Sequence, residues 1–429
     1  MNSKVQAFFL RRNFPVHTDV NAVCDAILLD MNRGLRKQKS DEDMIRTFSL
    51  PPKAPAVNQS VIVIDAGGTN FRSCLVTFNE KGEPLISEME KTVMPGVEKQ
   101  LTKKEFFDQF AKNLEHLKDK STKIGFCFSY PMTITEDGDG VLINFSKEVK
   151  APEVEGQPIG KCLKEALLAH GWKNIEKITL LNDTVAALLA GKACAKDYPY
   201  SSYIGFILGT GMNAAYIQPE IAEAGVKKQI IVCESGKTCS VVMSDFDKNY
   251  DSISQKPGTA FIEKQCAGGY LGPVAFQMLK LAVSDGVFSD AFAKKLAALQ
   301  SLSLIEFDAF LHDPYNKENG LASLAANTAT EEDYTVLYEL LDALLERSAR
   351  AAAAILSAAV IQSGEGKNPC KPVLILADGS TFWKSSRIYE RVFAALEKTL
   401  TVEKGLYWKI ISCDNDITIG TAIAGLIDG

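Results

Sequence analysis

Val61-Ile-Val-Ile-Asp-Ala-Gly-Gly-Thr-Asn-Phe-Arg72 is the stretch on which the reading of the fold turns. Four consecutive β-branched residues, Val61 to Ile64, read as a buried strand. Asp65 ends the apolar run, Gly67 and Gly68 permit a tight turn, and Phe71 to Phe78 returns as a second strand. Two glycines let backbone N–H groups approach an anion closely, and the Thr69 hydroxyl and Arg72 complete a phosphate-cradling turn. Asp65 stands where a carboxylate can hold a divalent cation, the pairing that nucleotide chemistry needs. No Gly-Lys-Ser/Thr follows and the turn leads into a strand, so this is not a Walker loop. The same residues would also serve a plain hairpin, and the case depends on what else the chain carries.

It carries two more turns of this kind. Leu208-Gly-Thr-Gly-Met-Asn213 joins the strands expected over Tyr203–Leu208 and Asn213–Ile217. Leu376-Ala-Asp-Gly-Ser-Thr381 leaves a buried aliphatic strand, Pro372–Ala377, and opens a helix, an anion- or ribose-binding feature or an ordinary cap at Ser380. Around these turns the periodicity predicts a helix over 19–35 with Gly34 as its stop. A capping box follows at Thr102 and Glu105, ahead of a face made by Phe106, Phe110, Leu114 and Leu117. Further strands are expected at Lys123–Ser129, Lys177–Leu181, Gln229–Cys233 and Trp408–Ser412. A long helix is expected at Glu331–Ser363, and a closing helix from Thr418 to Leu426. Strands alternating with helices make an α/β layered fold. One glycine hairpin in each half suggests an ancient duplication.

The chain has 429 residues, 47 Lys+Arg against 53 Asp+Glu for a net charge of −6, and 46% hydrophobic residues. That is enough for two or three domains with large cores, and it excludes disorder and disulfide scaffolds. The mild acidity argues against a nucleic-acid partner. Ten cysteines form no C-x-x-C pair and read as free thiols of a reducing, cytoplasmic compartment. The apolar run Ala7–Leu10 is too short for a signal segment, and Ala351–Ile361 falls short of a membrane span, so no membrane partner is expected.

Leu180-Leu-Asn-Asp-Thr184 sets a carboxylate between a buried strand and a helix expected over 185–194. Asp183 is a helix cap on the plain reading. On the functional one it is a general base facing a cleft at a strand end. None of the four histidines has a metal- or triad-like context, which leaves a carboxylate as the natural base.

At this point the chain resembles the hexokinase family, within the actin-like sugar kinases. The resemblance is carried by Ile64–Arg72, Phe128-Ser-Tyr-Pro131, Leu142-Ile-Asn-Phe-Ser-Lys147, Leu181–Thr184 and Leu208–Asn213. It continues through Val232-Cys-Glu-Ser-Gly236, Pro257–Gly272 and Ala377-Asp-Gly-Ser380. It implies two actin-like (ribonuclease H-like) α/β domains with an interdomain cleft, the smaller spanning 61–182 plus 418–429 and the larger 1–60 plus 183–417. It also implies ATP-dependent phosphorylation of a hexose, D-glucose first, at the 6-hydroxyl, the first step of glycolysis, with ATP and Mg²⁺.

By the same resemblance Asp183 is the base and Lys147 assists catalysis by neutralising phosphate charge. The sugar is held by Ser129, Ser146, Lys147, Asn182, Asp183, Asn213, Glu234 and Glu263. Asp65, Gly67, Gly68, Thr69, Asn70 and Arg72 surround the β- and γ-phosphates, with Asp65 reaching Mg²⁺ through water. Thr210, Gly268, Gly269, Gly379 and Ser380 line the nucleotide. Amides and carboxylates suit a sugar because they satisfy both donor and acceptor sides of its hydroxyls.

Three departures from the family pattern stand out. Val232 replaces an asparagine, Ser235-Gly236 stands for an aromatic–glycine pair, and Asp414–Gly420 lacks a Ser-Gly pair. The first two put the hexose preference in question. A kinase for fructose, mannose or glucosamine, and a catalytically silent sugar-binding regulator, are the alternatives. Monomer and homodimer both stay open.

Overall fold

The computed structural model describes residues 1–145, 149–195 and 198–427. Among them the strands β1 (Ile45–Arg46), β2 (Gln59–Gly67), β3 (Asn70–Phe78), β4 (Pro84–Val93), β5 (Lys123–Phe128), β6 (Met132–Ile134) and β7 (Gly140–Leu142) come first. β8 (Lys177–Leu181), β9 (Ser202–Leu208), β10 (Met212–Gln218), β11 (Gln229–Val232), β12 (Val373–Asp378) and β13 (Trp408–Ile411) follow. They build a five-stranded sheet, β4-β3-β2-β5-β8, a six-stranded sheet, β1-β11-β10-β9-β12-β13, and the small hairpin β6-β7.

The two large sheets repeat one plan. In the first, β2, β3 and β4 form an antiparallel meander and β5 and β8 run parallel beside β2. In the second, β9, β10 and β11 meander and β12 and β13 run parallel beside β9, with β1 added at the edge. This shared order gives the suspected duplication a structural basis that residue similarity did not. The opening hairpin has the expected register: Asp65 pairs with Arg72 and Gly67 with Asn70, so Gly68 and Thr69 make the turn, Gly68 at φ +60°.

Three apolar cores follow from this plan. Ile62, Ile64, Phe106, Phe110, Phe126 and Phe128 pack on the outer face of the five-stranded sheet. The long helix Glu331–Ser363 helps fill the outer core of the six-stranded one. Between the sheets, Val61, Val63, Ile230 and Val232 meet small residues on the helices Asp183–Cys194 and Asp416–Leu426, which pack on each other. That middle layer is thin because it is built on glycine. A Cβ on Gly205 would overlap the Thr184 carbonyl, one on Gly125 the Thr421 carbonyl, and one on Gly420 the Ala186 carbonyl.

Several boundaries shift. The capping box at Thr102 and Glu105 forms as expected, and the helix Glu331–Ser363 has the expected ends. Gly34 does not stop its helix, which runs Val20–Leu35 with Asp19 as N-cap. The closing helix begins at Asp416 instead of Thr418, after Asn415 in the left-handed region. Ser380 is not the cap of its helix: Gly379, at φ +114°, holds that place. β4 escaped the periodicity because it is an edge strand, polar and mostly exposed.

One cysteine pair departs from the free-thiol expectation: Cys194 and Cys413 form a disulfide, 219 residues apart in sequence. Packing of the two middle helices brings the end of one beside the entry to the other, a juxtaposition no spacing rule reveals. Eight cysteines are free, six of them buried. No helix among the described residues is long and apolar enough to cross a membrane.

Candidate active site

A cleft of about 1390 Å³ opens between the two sheets. Ser129, Asn182, Asp183, Thr210, Asn213, Glu234, Glu263 and Gly269 all line it. Ser146 and Lys147 lie outside the described residues.

Asp183 sits at the junction of β8 and the helix Asp183–Cys194, and the capping task falls to its neighbour. Asn182 is the N-cap, its Oδ1 accepting from the Thr184 N–H at 2.9 Å. Asp183 is the first helical residue and accepts from the same N–H at 2.8 Å. The helix N-terminus stabilises a negative charge there.

On the opposite wall Asn213 leaves the second glycine turn on β10. Its Nδ2 donates to Glu234 Oε1 at 2.8 Å, and its Oδ1 accepts from Ala214 N and Ser235 N. The amide is therefore held in one orientation. Glu234 itself occupies the left-handed region, φ 57°, a strained place for a residue with a Cβ and one typical of functional sites. Burial pushes its carboxyl up to about 7, Lys237 opposing and Asp43 and Asp183 adding to the rise. Glu263 enters from the helix Phe261–Cys266, and its Oε1 accepts from the Met212 N–H at 3.0 Å. Gly236 is required beneath it, since a Cβ there would stand 3.1 Å from that oxygen and 2.8 Å from the Met212 carbonyl.

The second and third glycine turns pack on one another, and of their predicted residues Thr210 and, from the adjoining helix, Gly269 line the cleft. Gly268 N donates to Gly209 O at 2.8 Å and Gly269 N to Thr210 O at 3.0 Å. Thr381 Oγ1 also reaches Gly209 O, at 3.0 Å, and Gly379 lies against Leu208 and Gly209. Thr210, Gly268, Gly269 and Gly379 thus pack together around Gly209, with Ser380 the first residue of the helix after Gly379. The residues of the first turn do not themselves line the cleft; they pack against Ser129 and Tyr130, which do. Gly67 packs on Ser129, where a Cβ would come within 2.9 Å, and the Tyr130 hydroxyl donates to Gly68 O at 3.0 Å. Arg72 Nη1 contacts Asp65 Oδ2 at 3.1 Å. Burial raises the Asp65 carboxyl and the guanidinium opposes that rise.

Two acidic groups were not singled out from the sequence. Asp416, 7% exposed at the start of the closing helix, has its carboxyl pushed up to about 7 by burial and by the charges of Asp378 and Asp183. The turn Ala377-Asp-Gly-Ser380 contained a signal for Asp378, but Asp416 was hidden because the closing helix was expected to begin two residues later. Val232, expected beside the sugar, lies at the back wall and is 2% exposed within the middle apolar layer. Valine suits that layer, where an amide would need partners.

Carboxylate and hydroxyl donors with glycine-exposed amides fit a nucleotide and a hydrated Mg²⁺. No group of three or more His, Cys, Asp or Glu side chains among the described residues forms a ready metal cage.

Two family models cover the chain, both described as hexokinase, over residues 10–193 and 203–427. Hexokinase-1 of Schizosaccharomyces pombe is 26% identical, across 98% of this chain and 90% of that protein. Hexokinase-5 of Oryza sativa subsp. japonica is 28% identical, across 89% and 80%. Rat hexokinase-2 is 26% identical, and this chain spans 44% of its length. A solved structure of Schistosoma mansoni hexokinase complexed with glucose superposes with a TM-score of 0.80 at 23% identity, covering 98% of both chains. With a hexokinase model matching each half in order, on sheets that repeat one plan around a shared cleft, this chain belongs to the hexokinase family, enzymes that phosphorylate sugars with ATP.

Proposed function

We propose that the chain transfers the γ-phosphoryl group of ATP to the 6-hydroxyl of a hexose, with D-glucose as its main substrate, giving hexose 6-phosphate and ADP at the entrance to glycolysis. The observation that carries this reading is the convergence of Asp183, Asn213, Glu234 and Glu263 on one cleft from four separate elements. Asn213 and the two glutamates are oriented by the protein before any ligand arrives, which lowers the entropic cost of binding a polyhydroxylated substrate. Asn182, Ser129 and, from the segment outside the described residues, Ser146 and Lys147 complete the sugar contacts in this reading.

Asp183 takes the proton of the 6-hydroxyl as the O6–Pγ bond forms and the bond from Pγ to the bridging oxygen of ADP breaks. Phosphoryl transfer depends mainly on positioning and charge stabilisation. Lys147 and Arg72 would neutralise charge on the transferring group, and the amides of the first turn would hold its oxygens. Mg²⁺, reached through water by Asp65, supplies further neutralisation of the phosphates when bound. Thr210, Gly268, Gly269, Gly379 and Ser380 would receive the rest of the nucleotide. We infer that the units around the two large sheets, 61–182 with 418–429 and 1–60 with 183–417, close on the sugar and exclude water.

A related hexose as main substrate is favoured by one feature. Ser235, in place of the family's aromatic residue, is 1% exposed and its Oγ has no hydrogen-bond partner. A coupled assay with Mg-ATP over glucose, fructose, mannose and glucosamine tests both readings. Highest kcat/KM on glucose is expected; highest kcat/KM on another sugar would replace it as the substrate.

A further inference from the structure

Three successive acidic residues, Asp41, Glu42 and Asp43, lie along three successive residues of the chain that follows Glu234. The Cys239 N–H donates to Asp41 Oδ2 at 2.9 Å, Thr238 Oγ1 donates to Glu42 Oε1 at 2.9 Å, and Lys237 Nζ meets Asp43 Oδ2 at 2.5 Å. The outer two rungs are exposed or half-exposed. The middle one is enclosed, Glu42 at 1% and Thr238 at 0% exposure.

The segment is itself anchored. Asp30 Oδ2 accepts from both Asp41 N and Glu42 N at 2.8 Å, and Ser40 Oγ donates to Glu42 O. Gly34 lets it lie flat on the helix Val20–Leu35, because a Cβ there would come within 2.6 Å of Met44 and 2.8 Å of the Glu42 carbonyl. Just beyond, β1 pairs with β11, Ile45 opposite Val232. Extended past Ile45, that register would set Glu42 against Ser235, yet Glu42 meets Thr238. The three extra residues are Glu234, Ser235 and Gly236. The turn that presents Glu234 is thus a loop pinned on one side by strand pairing and on the other by the acidic rungs. The same pin reaches Glu263, since Thr238 O accepts from Ile262 N at 3.0 Å.

We propose that Glu42, through Thr238, is a positioning residue for hexose binding: it holds the strained Glu234 turn and the approach of Glu263 in the geometry that receives the sugar. This rests on the reading of Glu234 and Glu263 as sugar ligands. Glu42 Oε2 has no hydrogen-bond partner. Burial pushes the Glu42 carboxyl up to about 8, with Thr238 opposing and Asp30, Asp41 and Glu234 adding to the rise. Its other neighbours, Tyr216 on β10 and the Cys233 thiol, offer no compensating cation.

The test uses the full-length enzyme with glucose and Mg-ATP. Glu42→Ala and Thr238→Val should each raise the glucose KM and the calorimetric glucose Kd at least tenfold, while the KM for ATP stays within about twofold. Glu42→Gln, neutral and of the same shape, should restore the glucose KM to within about threefold. Thr238→Val keeps the test open if Glu42→Ala does not fold. Lower melting temperatures with parental glucose affinity in both variants would overturn the proposal. Glu234→Gln is measured alongside: if it weakens glucose binding and the other two do not, the positioning role alone fails. If none of the three weakens it, the sugar-site reading fails as well.

Discussion

The Asn213 amide donates to the Glu234 carboxylate across 2.8 Å, joining the second glycine turn to the pinned loop on the same wall of the cleft. Asn213 is in turn fixed by backbone donors, Ala214 N and Ser235 N. The pair therefore sets an acceptor in place for a sugar hydroxyl without help from the ligand. A charged acceptor makes the stronger hydrogen bond, so the protonation state of Glu234 should govern affinity.

The sign of that dependence follows from the direction of the shift. Burial lifts Glu234 to about 7. Its ionised form gains population as pH rises through that value, so glucose affinity measured by calorimetry should strengthen from pH 6 to 7.5. Stability moves the other way: a carboxyl raised above its unfolded value contributes fully below the unfolded pKa and loses that contribution as pH rises through about 7. Glu234→Gln should flatten both trends and weaken glucose binding about tenfold or more. A parent with pH-independent affinity over this range would refute the assignment.

Removal of the base separates chemistry from binding. Asp183→Ala should lower kcat by about 10²–10⁴-fold while glucose Kd changes only a few-fold, because proton transfer is lost and the hydroxyl contacts on the opposite wall remain. Near-parental turnover in this variant would assign the base elsewhere.

The middle layer offers a mechanical test. A Cβ on Gly420 would overlap the Ala186 carbonyl oxygen on the facing helix, backbone against backbone. Gly420→Ala should therefore cost about 1–3 kcal/mol in urea unfolding, as expected for overpacking a close contact. It should depress kcat as well, since the helix that begins with Asp183 must shift. Parental stability would show that the two helices separate freely.

The disulfide makes a countable prediction. Unfolded without reductant, the protein should present eight thiols to a titrating reagent and ten after reduction, in line with the Cys194–Cys413 bond. Cys413→Ser should lower stability by roughly 2–5 kcal/mol, the range for losing a cross-link that closes a long loop. Ten thiols before reduction would show the pair to be open.

What the sequence determined by itself is the part carried by local signals. The strand–turn–strand of Val61 to Phe78, the capping box at Thr102, the long helix from Glu331 and the glycine turn at Gly209 each follow from patterns within about a dozen residues. The motifs also named the sugar kinase and placed Asp183, Asn213, Glu234 and Glu263, which the fold then gathered into one cleft. The tertiary structure decided the rest, because those features depend on residues far apart in sequence. The seating of Asp41, Glu42 and Asp43 against Lys237, Thr238 and Cys239 spans about two hundred positions and leaves no local pattern. The Cys194–Cys413 bond arises only where two glycine-lined helices meet. Asp416 becomes a buried acid because the closing helix starts beside Asp378 and Asp183. Propensity and spacing report what a segment prefers alone, whereas burial, register and charge proximity exist only once the two sheets have closed on the layer between them.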